Sequence, residues 1–323
     1  MPFLEKQNWL SLVNENHTNY TFRMKLVKTR PATKDYIWGG NKLKKWGKQS
    51  SSSNIAECWE LSFNQSGPTL IDGGQDDGKP LMDVATKKDI GSIPASFEFF
   101  PVLIKFIDSA SNLSAQVHPS DAYALKNEGQ YGKTEMWYII SAEPHCGLYV
   151  GFKRKTSAEE VRAKINDGSI MDLLNFVEVK PGECYFIKSG TVHAIGGGVT
   201  LIEIQQNSTL TYRLYDYNRL GKDGKPRELH VEKALKVLDY EPYNPPKFKK
   251  PLIGECKYFS SSVYPVKDTI VKADSTSFKS LSFLGGEGTI GGMPYKNGDT
   301  FFLPSNEEAR ISGTGQVVIT KVK

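Results

Sequence analysis

Four side chains have the types and spacing to hold a divalent metal. Gln116 and His118 stand two apart in Gln116-Val117-His118-Pro119. Alternation along a strand turns both to one face, and Pro119 ends the ladder after His118. Glu135 lies in Thr134-Glu135-Met136-Trp137. His193 closes the run Gly182-Glu183-Cys184-Tyr185-Phe186-Ile187-Lys188-Ser189-Gly190-Thr191-Val192-His193. There a strand rich in aromatic and β-branched residues enters a Ser-Gly turn, which would deliver His193 to a fixed place on a β-barrel wall. Two imidazoles, a carboxylate and an amide oxygen suit a metal such as zinc, with water completing the shell. Of the other histidines, His145 sits beside Cys146 in a Glu-Pro turn and reads as a surface residue.

Short strands must position these groups. Apolar runs predict strands at 55–62, 101–107, 112–118, 135–140 and 146–151. A helical island begins at Ser157-Ala158-Glu159-Glu160-Val161 with a capping serine and early acids. Val161, Ile165, Met171, Leu173 and Leu174 supply its apolar side through about residue 176, and the insert is expected to cover one end of a barrel. A second helix is expected near 230–239 from Val231, Ala234, Leu235 and Leu238. Pro242, Pro245, Pro246 and Pro251, interleaved with lysines, read as a linker, and 252–323 reads as strand and turn only.

The C-terminal part carries an internal echo. Gly298-Asp299-Thr300-Phe301-Phe302-Leu303-Pro304 repeats the form of Gly182 to Lys188. Gly182 precedes His193 by eleven positions, and eleven positions after Gly298 stands Ala309, which cannot bind a metal. Two β-barrels of one kind are expected, the second without a ligand at that place. The expected division is an extension at 1–23, a site-bearing domain at 24–240 and a C-terminal domain at 241–323, with Met24 resembling a domain start.

Composition is ordinary for a globular chain, with 29 glycines and 17 prolines favouring turns. A net charge of +5 in 323 residues suits an anionic small substrate and does not call for nucleic acid. No run approaches a membrane span of roughly 20 apolar residues, and no signal peptide opens the chain. Cys58, Cys146, Cys184 and Cys256 form no CxxC pair and read as unpaired thiols of a reducing, cytoplasmic compartment. The Asn16-His17-Thr18 sequon then has no role. Oligomeric state is not legible.

These segments resemble a known family. The 182–193 block is similar to the second cupin motif, with Lys188 where Pro is usual and Gly197 where Asn is usual. The Gln116-to-Glu135 region resembles the first, with a long insertion. More specifically the chain resembles the short bacterial form of type I phosphomannose isomerase. The resemblance rests on Ile37-Trp38-Gly39-Gly40, Ala56-Glu57-Cys58-Trp59-Glu60, Leu113 to Pro119, Gly132 to Tyr138, Ser189 to Ala194, Glu203 to Ser208 and Thr211 to Tyr217. It implies a mostly β bicupin of two jelly-roll barrels with a short helical insertion. It also implies one zinc per chain, held by His118, Glu135 and His193 with Gln116 adjoining, and a reaction between mannose 6-phosphate and fructose 6-phosphate. Arg213 falls at the family's catalytic arginine, and Thr209 stands where an Asp is common.

Moving a carbonyl between C1 and C2 passes through a cis-enediol(ate), whose oxygens need fixed positive charge. Arg213 offers a planar, permanently charged fork, and Lys133, two before Glu135, can face the same cavity. Glu203 is the candidate base, on one face with Leu201 and Gln205, where burial among apolar neighbours is expected to raise its pKa. A framework salt bridge is the alternative role for Glu203. Ser114 and Lys105 are candidates for substrate binding; Gly196-Gly197-Gly198 reads as a tight turn rather than a P-loop. Trp38 could line the mouth or the core. Competing readings are a catalytically weak sugar-phosphate-binding or regulatory paralogue and an iron dioxygenase.

Overall fold

The computed structural model describes residues 23–323. The expected extension, save Arg23, and the Asn16 sequon lie outside the described residues. The described chain is mostly β, in antiparallel sheets of seven, six, five and four strands. It divides into two compact units.

One unit spans Thr33–Cys58 and Lys105–Lys247. A six-stranded sheet runs in the order Cys184–Ile187, Glu135–Ala142, Val199–Gln206, Val102–Ser109, Glu57–Leu61, Ala32–Lys34. A five-stranded sheet runs Tyr212–Tyr215, Ala115–Val117, His193–Ile195, Gly147–Phe152, Leu174–Glu178. Alternation explains the core. Trp137, Ile139 and Leu201 from the first sheet meet Leu148, Val150 and Ile195 from the second, with Trp38 buried among them. Trp38 is thus a core residue. Along the same inner face, Glu135 and Glu203 lie opposite Gln205 and Trp137 in register, so the face turns from apolar to charged.

The outer face of the five-stranded sheet is apolar too. Ala115, Val117, Tyr212 and Leu214 pack there against Val161, Ile165, Leu173, Ala234 and Leu235. The insert therefore covers a sheet face. It is an α-helix at Ala158–Asn166, capped by Ser157 accepting from the Glu160 amide, then a 3-10 turn at Ile170–Leu173. The expected helix stops short of 176: it ends at Asn166 before Gly168 at φ 78°, and Leu174 begins a strand that pairs with Gly147–Phe152. The second helix is confined to Val231–Leu235. A helix at Asp121–Asn127, capped by Ser120, was not expected from the sequence pattern.

The other unit comprises the described residues through Ala32, Trp59–Ile104 and Phe248–Lys323. From Leu252 onward its elements are all strands, as expected. In its seven-stranded sheet Val27–Arg30 lies between Thr300–Leu303 and Leu70–Asp72, with Val27 opposite Phe302 and Thr29 opposite Ile71. Its core joins Leu281, Phe283 and Phe301 to Ile290, Tyr295, Ala309 and Ile311 of the four-stranded sheet. This division differs from an expected domain running unbroken through 24–240. Segments early in the chain take their backbone partners from near its end, and such pairing leaves no local sequence signal. Among the described residues no helix is long and apolar enough to cross a membrane.

Candidate metal centre

Three strand-borne groups converge in the first unit. His193 pairs in register with Gln116 on the neighbouring strand. His118 follows that strand directly, and its carbonyl accepts from the Gly190 amide at 2.8 Å. Gly190 has φ 88°, a conformation that side chains rarely adopt. The Ser-Gly turn thereby ties the two histidine segments together. Glu135 opens the facing strand.

Each imidazole is oriented by its own backbone. His118 Nδ1 lies 2.8 Å from the Leu210 carbonyl, and His193 Nδ1 2.9 Å from that of Thr191. A carbonyl only accepts, so Nδ1 carries the proton and Nε2 keeps its lone pair. Those Nε2 atoms face Glu135: His118 at 3.6 Å from Oε2 and His193 at 3.3 Å from Oε1. The ligand atoms of all three residues lie within 4.8 Å of one another. Burial pushes His193 down to about 4 and His118 well below the usual imidazole range, so both are neutral, as metal ligation needs. Burial, then the Glu203 charge, pushes Glu135 up to about 7.

The donor set fits a divalent cation. Glu135 Oε1 is fully buried with no hydrogen-bond donor, a situation that costs free energy unless something satisfies it. The Gln116 amide nitrogen stands 3.3 Å from His193 Nε2; amide nitrogen and oxygen exchange places by a half turn. Gln116 therefore stands beside His193.

Behind them lies a buried charge network. Lys133 Nζ is 2.7 Å from Glu135 Oε2, 3.2 Å from His118 Nε2 and 3.8 Å from Glu203 Oε1. Lys105 Nζ reaches Glu203 Oε1 at 3.2 Å and Glu57 Oε2 at 3.3 Å. Trp137 donates its indole N–H to Glu203 Oε2 at 2.9 Å. The expectation that burial raises the Glu203 pKa is corrected here. Burial does push it upward, but the Lys133 and Lys105 charges outweigh burial and hold Glu203 down at about 2. In turn burial would lower Lys105, and Glu57, Glu203 and Glu135 raise it above the usual lysine range.

The structure puts Lys105 in this buried network and Ser114 beside Arg213. Arg213 Nε donates to Ser114 Oγ at 3.3 Å, and Nη1 donates to the Glu228 carbonyl at 2.7 Å. Arg213 stands opposite Gln116 in register, which places it on the face that carries the ligands. Gly196–Gly198 links two strands as a turn, with Gly198 at φ 84°. His145 is exposed and pairs with Glu178. Sequence reasoning gave no site role to Glu57, Trp137 or Gln205. Gln205 spends its amide nitrogen on the Gln206 and Ser208 carbonyls, each at 2.7 Å, leaving a buried Oε1 acceptor without a donor. An unbroken polar run on the face of a buried strand, Glu203 and Gln205, was the available signal.

Known proteins share this arrangement of sequence and fold. The family "Phosphomannose isomerase type I, catalytic domain" matches residues 26–140. The chain is 34% identical over 309 residues to a mannose-6-phosphate isomerase of Bacillus subtilis, covering 90% of this chain and 97% of that one. It is 35% identical over 284 residues to a mannose-6-phosphate isomerase of Streptococcus mutans, covering 83% and 89%. Its fold is similar to a crystal structure of mannose 6-phosphate isomerase from Bacillus subtilis, with TM-score 0.84, 32% identity, and 92% of this chain and 99% of that chain covered. The chain therefore belongs to the type I phosphomannose isomerase family and is an isomerase of that kind.

Proposed function

We propose that the chain interconverts mannose 6-phosphate and fructose 6-phosphate through a cis-enediol(ate), with one zinc ion held by His118, Glu135, His193 and Gln116. The observation that carries this is the convergence of two neutral Nε2 lone pairs and a buried carboxylate oxygen, Glu135 Oε1, that has no donor, beside Lys133. When bound, the ion supplies Lewis acidity and orients sugar oxygens. The two paired sheets of each unit are read as cupin barrels, with the site in one barrel only. A small sugar phosphate in the cytoplasm is the partner.

The chain's own residues then divide the work. Arg213, anchored by Ser114 and the Glu228 carbonyl, presents a fixed guanidinium to the anionic intermediate. Lys133 adds a second cation next to the ligand set. Glu203 is ionised at neutral pH, as a base must be, and its lysine partners keep it a weak one at rest. Turning Lys133 toward substrate oxygens removes part of that restraint and raises its basicity. Lys105 and Ser114, fixed at the site by Glu203 and Arg213, complete the polar surface for the substrate.

The test is metal analysis of the purified chain with a coupled assay on mannose 6-phosphate. Turnover should fall with chelator, return with zinc, and fall about 100-fold or more in Arg213→Ala. Turnover that survives both treatments sinks the reading; bound iron with oxygen consumption replaces it with oxidative chemistry.

A further inference from the structure

Past Arg213 the chain makes a loop that ends at His230 and is unusually constrained. Tyr217 and Asn218 adopt φ 57° and 53° in succession, the left-handed region that side chains other than glycine rarely occupy. Such geometry persists only where surrounding contacts over-determine it. The contacts here converge on one carboxylate. Buried Asp216 accepts from Arg219 Nη2 at 2.6 Å and from Arg227 Nε at 2.7 Å, with Arg227 Nη2 also on Oδ1. Arg219 further donates to the Asn112 carbonyl at 2.5 Å, and its guanidinium lies 5.0 Å from the Tyr217 ring centroid. Asp216 therefore clasps both arms of the loop, one through Arg219 and one through Arg227.

The closed loop has a consequence for Arg213. Glu228 follows Arg227 directly, and its carbonyl accepts a hydrogen bond from Arg213 Nη1. Two residues later the His230 amide donates to the Arg213 carbonyl at 2.7 Å, and the Arg213 amide lies 3.3 Å from His230 Nδ1. With Ser114 on Nε, the guanidinium plane is fixed at two points, and one of those points belongs to the loop. We propose that Asp216 is a positioning residue for Arg213. It fastens the loop so that the Glu228 carbonyl holds the guanidinium in the orientation the isomerisation uses. Neither Asp216 nor Arg227 need touch the sugar phosphate.

The inference rests on the reading that Arg213 acts on the substrate, and a double-mutant cycle separates the two. Asp216→Asn keeps shape and removes charge. In the metal-loaded full chain it should lower kcat about tenfold with a smaller change in KM, since a displaced catalytic group costs rate steeply. In an Arg213→Ala background the same change should alter kcat less than about twofold, because the residue it acts through is gone. Arg227→Gln should reproduce the Asp216→Asn result in each background, and it replaces Asp216→Asn if that variant does not fold. Metal content and Tm accompany every variant. An equal loss in both backgrounds, or no loss in either, overturns the proposal. Unchanged turnover in Arg213→Ala alone overturns instead the reading of Arg213 on which it stands.

Discussion

At the scale of single residues, burial and charged neighbours together decide the electrostatics of this site. Glu135 and Glu203 are both buried acids on neighbouring strands of one sheet, yet one is pushed up to about 7 and the other held down at about 2. Glu203 contacts Lys105 and accepts from the Trp137 indole, and its own charge then adds to burial in pushing Glu135 upward. The sign for stability follows. Glu203 has a depressed folded pKa, so its ionised form contributes stability present above the unfolded carboxyl range and lost as pH falls toward about 2. Glu203→Gln should therefore melt several degrees below the parent at pH 7, with the gap narrowing as pH drops below about 4.5. Thermal melts of both proteins across that range check it; a gap that widens in acid refutes it. His193→Ala should lose bound metal and drop turnover below about a hundredth of the parent. Hydrogen exchange over 252–323 should be unchanged in that variant, since His193 belongs to the other unit.

Elements place these residues through short, local devices. The Ser189-Gly190 turn is one: an added Cβ on Gly190 would sit 3.1 Å from the Val237 carbonyl in a left-handed conformation. Gly190→Ala should cost about 1–2 kcal/mol and weaken metal retention, because the Gly190 amide holds the His118 carbonyl. Denaturant titration and a competing chelator measure the two effects. The Ser157 cap supplies the contrast. It starts a helix that packs on the outer face of the five-stranded sheet, remote from the ligand side. Ser157→Ala should cost about 1 kcal/mol in a denaturant titration with kcat/KM unchanged. Caps, turns and strand alternation were legible in the sequence because each depends on residues a few positions apart. The end of the helical insert was misjudged: the helix stops at Asn166 before left-handed Gly168, and the apolar residues from Met171 onward belong to a 3-10 turn and to a strand paired with Phe152.

At the scale of the whole molecule, chain order and spatial order part company. Val27–Arg30 completes a sheet with Thr300–Leu303, and residues 59–104 belong to the same unit as the C-terminal strands. A fragment ending at residue 240 removes the strand that pairs with Val27 and Lys28. It should fail to give a cooperative thermal transition, and co-expression with 241–323 should restore one; a fragment that melts cooperatively alone refutes this. By itself the sequence offered the candidate ligands, the start of the helical insert and the resemblance to the family, since spacing and alternation are written along the chain. Only the tertiary structure decided that two lysines surround Glu203, that Lys105 is locked between two carboxylates, and that Asp216 gathers two arginines behind Arg213. The Coulomb energies that govern those groups depend on distances between residues far apart in sequence, which no local pattern encodes.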